Sequence, residues 1–135
     1  MQNKIGALRF TTAPLDQPQL QICGVIISVR LDLIARGASR GIDQIGGAVL
    51  RLTQDDADSD GAKARRRDMG LYVAAMARIH LERSFAPNAQ IANRLCMAID
   101  IRHGETFASP GSNARRINDL ENACRFIAAA WPTIE

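Results

Sequence analysis

The chain has 135 residues, close to the usual size of one domain, and its 47% apolar and 23% charged content excludes disorder along the whole length. A net charge of +3 is only mildly basic, and three scattered cysteines, Cys23, Cys96 and Cys124, exclude a disulfide framework or a zinc ribbon. With aromatic residues at 4%, packing falls to Ile, Leu, Val, Met and Ala, which favours helix packing over a β-sandwich.

Residues 1–18 contain Pro14 and Pro18 with Thr11, Thr12 and Asp16 between them and read as an extended arm. Residues 19–135 then read as a single helical domain. From Gln19, the apolar positions Leu20, Cys23, Ile27, Leu31 and Ile34 recur at steps of three and four, which predicts a first helix ending near Gly37. The segment from Ile27 to Leu33 also alternates as a half-buried strand would. Helix is preferred because no partner strand with similar alternation follows.

Ser39 is expected to cap a second helix with Ile42, Ile45, Val49 and Leu52 on one face and Gly46 and Gly47 in its middle. Residues 53–61 form a polar, acidic linker. Within it, Asp56, Asp58, Asp60 and Gly61 match the first half of a calcium-binding loop, but Lys63 and Arg67 stand where an aliphatic residue and a chelating Glu belong. The linker therefore reads as solvated rather than metal-binding.

A third helix is expected from Ala62 to Phe85, with Met69, Val73, Met76 and His80 on its inner stripe. Pro87 suits the first turn of a fourth helix carrying Ile91, Leu95, Ala98 and Ile99. A loop from His103 to Ser112 leads to Asn113, the expected cap of a fifth helix whose stripe is Ile117, Leu120, Cys124, Ile127 and Trp131, with Pro132 ending it. The fold class this predicts is all-α, a compact bundle of about five helices.

Chemistry-bearing groups are few. His80 and His103 lack metal-ligand spacing, and no serine has the surroundings of a nucleophile, so no enzyme, catalytic residue, metal or cofactor is expected. Charge is unevenly placed: residues 1–62 hold six basic against seven acidic side chains, and residues 63–135 hold eleven against seven. Fifteen of the seventeen basic residues are Arg, the side chain that grips phosphate or carboxylate through a fork of donors. Arg65, Arg66 and Arg67 open the third helix, and Asn113, Arg115, Arg116 and Asn118 cluster at the start of the fifth. Such groups suit phosphate and base-edge contacts, although solvation and capping alone would also accommodate them.

The run Arg67-Asp-Met-Gly-Leu-Tyr-Val-Ala74 is similar to the opening helix of the C-terminal DNA-binding domain of the bacterial replication initiator DnaA and its short stand-alone relatives, whose pattern is Arg-Gln-Val-Ala-Met-Tyr-Leu-Ala. Ala123-Cys-Arg-Phe-Ile127 resembles the Ala-Cys-Arg-Lys-Ile run of that domain's last helix. The resemblance implies a helix-turn-helix in the C-terminal half. The family's Asp-His-Thr-Thr signature is replaced here by Arg116-Ile-Asn-Asp-Leu120, so base-specific readout does not carry over.

The function expected on this reading is that of a DNA-binding regulator. Arg65, Arg66, Arg67, Arg115 and Arg116 would grip duplex DNA phosphates from helices three and five, with Asn113 and Asn118 as base or sugar contacts. The alternative is an adaptor or antagonist that docks an acidic protein partner through an exposed apolar helix face. The chain opens with no leader-like pattern, and its most apolar run, Val25 to Ile34, is broken by Arg30 and Asp32, so a cytoplasmic protein is expected.

Overall fold

Two dipeptides, Cys23-Gly24 and Arg40-Gly41, govern the N-terminal half. In the computed structural model, which describes residues 8–27, 29–52, 59–85 and 90–134, all four have positive φ, at 48° and 82° and at 53° and 77°. Two-residue turns with both central residues on the left-handed side match the twist of paired strands, so the flanking chain closes into hairpins. One joins β2 (Leu20–Ile22) to β3 (Val25–Ile27), with Ile22 opposite Val25. The other joins β4 (Leu33–Ser39) to β5 (Ile42–Arg51), with Ser39 opposite Ile42.

The β4–β5 hairpin is the middle of a five-stranded sheet. Antiparallel to β4 runs the edge strand β1 (Arg9–Thr12). From β5 the chain crosses over through a long helix, α1 (Asp60–His80), and returns as β6 (Met97–Asp100), parallel to β5 with Ala48 in register with Met97. A four-residue turn leads to β7 (Glu105–Ala108), antiparallel to β6, and the second helix, α2 (Ala114–Ile134), follows. Sheet order is β1-β4-β5-β6-β7, with β2 and β3 as a separate two-stranded ribbon.

This architecture corrects the all-α expectation. The segments read as first and second helices are strands β2 to β5, and the segment read as the fourth helix is a 3-10 turn (Asn93–Leu95) followed by β6. The physical reason is composition. Val25, Ile26, Ile27 and Ile34 are β-branched, and Gly46 and Gly47, costly inside a helix, sit where β5 meets other chain closely. The helices expected over residues 62–85 and after Asn113 are present as α1 and α2. Between them lies a strand pair rather than a helix-turn-helix, so the likeness to the initiator's DNA-binding domain is not one of fold. Residues 1–7 of the N-terminal segment, residues 53–58 of the acidic stretch with Asp56 and Asp58, and Pro87 lie outside the described residues.

Helix α1 begins where Ser59 accepts a hydrogen bond from the Ala62 amide at 3.1 Å. Its small inward residues, Ala62, Gly70, Ala74 and Ala77, let it lie close on the sheet face that also carries Ile34 and Ile45. Leu81 continues that packing from a π-helical turn, Leu81–Phe85, against Leu31, Ile34 and Cys96. A second cluster of Leu20, Ile22, Ile79 and Cys124 binds the β2–β3 ribbon to both helices, with Ile117 and Leu120 at its margin. Cys96 is a core residue in this arrangement, and burial pushes its thiol up.

Gln17 ties the N-terminal segment to this core. Its amide nitrogen donates to the carbonyls of Pro14 and Leu31, both at 2.8 Å, and its oxygen accepts from the Leu31 amide at 3.0 Å. The same oxygen lies 3.2 Å from Nε2 of the fully buried His80. Because that oxygen can only accept, the His80 proton sits on Nε2. Burial lowers the His80 pKa below the ordinary 6.5. Unfolded chain therefore takes up a proton that the folded state refuses, and His80 subtracts stability as pH falls from about 6.5 toward its lowered value, with nothing subtracted above. Urea unfolding of wild type and His80→Gln between about pH 7.5 and 5.5 should show the variant losing less stability over that interval; equal losses would mean that burial does not hold the ring neutral.

Candidate functional site

The arginines singled out by sequence part company. Arg66 is 6% exposed and donates from Nε to Glu105 Oε1 at 3.1 Å, between α1 and the start of β7. It belongs to a network at the β6–β7 turn in which the buried Asp100 accepts from the backbone amide of His103 at 3.2 Å and pairs with His103 Nδ1 at 3.0 Å. Asp100, His103 and Glu105 are the described residues whose ligand atoms come within 4.8 Å of one another as a group. Arg66 already neutralises Glu105 there, and its guanidinium repels an incoming cation. The cluster reads as the lock between helix and hairpin.

Arg65 and Arg67 are exposed and share a shallow cleft with Asp68, Leu71 and Arg116. Arg116 is held, not offered. Its Nη2 lies 3.8 Å from Asp68 Oδ1 and its guanidinium carbon stands 5.6 Å from the centre of the Tyr72 ring. Tyr72 in turn donates to Asp119 Oδ2 at 2.8 Å, and that bond to a carboxylate raises the phenol's pKa. These contacts join the middle of α1 to the first two turns of α2. Arg115 and Asn118 are exposed on α2, whereas Asn113 is buried at its start with both amide atoms lacking hydrogen-bond partners among the described residues. Its backbone carbonyl, not its side chain, accepts from the helix, at the Ile117 amide.

The expected DNA-binding function does not survive this placement. Arg66 and Arg116 are engaged with Glu105, Asp68 and Tyr72, and Asn113 is inside, which leaves no continuous row of Arg and Asn to track a phosphate backbone. A different surface emerges. Beyond Cys124, every described side chain of α2 as far as Ala129 is exposed, including Phe126 at 74% and Ile127 at 44%. Sequence reasoning placed Ile127 on the inner stripe and passed over Phe126. The signal was present in the run from Phe126 to Ile134, which contains no charged residue. Of the other large exposed apolar side chains, Leu15, Met69 and Ile101 sit on separate segments, whereas Ile42 and Leu50 share β5.

No family model, curated protein or solved structure matches the chain. Among the described residues, no helix is long and apolar enough to cross a membrane.

Proposed function

We propose that this chain is a protein-interaction module that docks a partner through the exposed apolar side of distal α2. The observation that carries the reading is Phe126, an aromatic side chain 74% exposed on a helix whose inner positions, Ile117, Leu120 and Cys124, are already packed. An amphipathic helix lies in an apolar groove through anchors at i and i+3 or i+4, and Ala123, Phe126, Ile127 and Ala130 have that spacing. Burying an aromatic anchor of this kind typically dominates such an interface. Arg115 lies about three turns back on the same side of the helix, where it favours an acidic rim on the partner.

A photo-crosslinking residue at position 126 tests this, with exposed position 40 as control. The expected result is one discrete acidic protein crosslinked from 126 and not from 40. Reconstituted with that protein, Phe126→Asp should weaken binding about 30-fold or more, as removal of a hot-spot aromatic does. Self-crosslinks alone, or unchanged affinity in Phe126→Asp, would discard the reading.

A further inference from the structure

A second site lies where the chain bulges off β5 before β6. Between Ala92 and Met97 the chain leaves the edge of β5: residues 90–92 pair with Ile45, through Ile45 N to Gln90 O at 2.9 Å and Ala92 N to Ile45 O at 3.0 Å, and β6 resumes pairing at Ala48. The 3-10 turn between them forms one wall of a shallow, open cleft of about 400 Å3. Small-molecule sites run from about 300 to 1,000 Å3.

Its lining is cationic and lacks a carboxylate. Arg78 enters from the last turn of α1, where the helix dipole favours a cation, and its side chain makes no ion pair or hydrogen bond among the described residues. Arg94 enters from the 3-10 turn, with Nη2 donating to the Gln44 side-chain oxygen at 2.6 Å, a neutral partner. Ser109 forms part of the wall. It is 4% exposed, its amide donates to Cys96 O at 2.8 Å, and its Oγ makes no hydrogen bond among the described residues. A buried hydroxyl without a partner costs about 1–3 kcal/mol. Asn93 is oriented across the mouth by its bond to Gly111 O at 3.1 Å, and Ile91 supplies an apolar side.

We infer that this cleft binds a phosphate monoester, with Arg78 and Arg94 on the phosphoryl oxygens and the organic group against Ile91. Two uncompensated guanidinium groups match the roughly −1.5 to −2 charge of a phosphate monoester near neutral pH better than the single charge of a carboxylate.

Calorimetric titration with O-phosphoserine, inorganic phosphate and acetate separates the outcomes. The expected result is saturable binding of O-phosphoserine and of phosphate, with acetate at least about tenfold weaker. Arg78→Gln and Arg94→Gln should each weaken O-phosphoserine binding about tenfold or more. Arg65→Gln with Arg67→Gln, in the other cleft, should leave it unchanged. Circular dichroism keeps the test open to either result, because Arg94 is exposed and Arg94→Gln should fold as wild type does. No binding at millimolar ligand, acetate binding as well as phosphate, full affinity in a folded Arg94→Gln, or loss only in the Arg65 and Arg67 variant would each overturn the assignment.

Discussion

Replacing Gly46 with alanine should cost about 3 kcal/mol or more of folding stability, the upper end of what overpacking does. A Cβ at this position would overlap the carbonyl oxygen, the carbonyl carbon and the Cβ of Leu95. Two of those atoms are backbone, so no rotamer change relieves the overlap. Leu95 is itself 1% exposed, and its turn is fixed by Leu95 N to Ala92 O at 3.0 Å and Cys96 N to Asn93 O at 2.9 Å. Urea unfolding measures the loss directly. Gly111→Ala is the matched control, since nothing lies within 4 Å of its added methyl and its φ is not in the left-handed region; its stability should stay within about 0.5 kcal/mol of wild type. A loss below about 1 kcal/mol in Gly46→Ala would mean that the 93–95 turn is not seated on β5.

Arg66→Met should cost about 3 kcal/mol, because it strands a partly buried acid rather than a solvated one. Asp100 and Glu105 face each other across the β6–β7 pair, and like charges in that relation repel. Arg66, with its side chain 5% exposed, is the cation set against Glu105, whose own side chain is 32% exposed. That exposure keeps the loss at the low end of the range for broken buried pairs. The double variant Arg66→Met with Glu105→Gln should recover at least about 1 kcal/mol of it, the signature of coupled neighbours. Additive losses, or a change below about 0.5 kcal/mol in Arg66→Met alone, would show that the pair does not hold helix to hairpin.

What was legible in the sequence was helical periodicity where a helix is long. α1 and α2 each have 21 residues and lie on the stretches read as helices, but Met69, placed on the inner stripe of the first of them, is 54% exposed. The strands misled for a specific reason. Leu20 and Ile22, then Val25 and Ile27, each alternate for only three residues before a turn, and read end to end they imitate steps of three and four. The two residue-plus-glycine turns between β-branched flanks were the better signal. Position within the Arg65–67 run was not legible from charge. It lay in the small residues: Ala62, Arg66, Gly70 and Ala74 recur every fourth position, so the middle arginine faces the sheet while its neighbours face water. Arg78 and Arg94 are remote in sequence and line one cleft because the chain bulges off β5 before β6.

The parallel seam between β5 and β6 is a junction that no tight turn delivers. The hairpins on either side of it can zip from their own bends, whereas aligning Ala48 with Met97 requires closing the long excursion through α1 first. A chain emerging from synthesis thus carries two half-sheets with raw facing borders until that closure occurs. During that interval its vulnerability to stray strand addition is greatest.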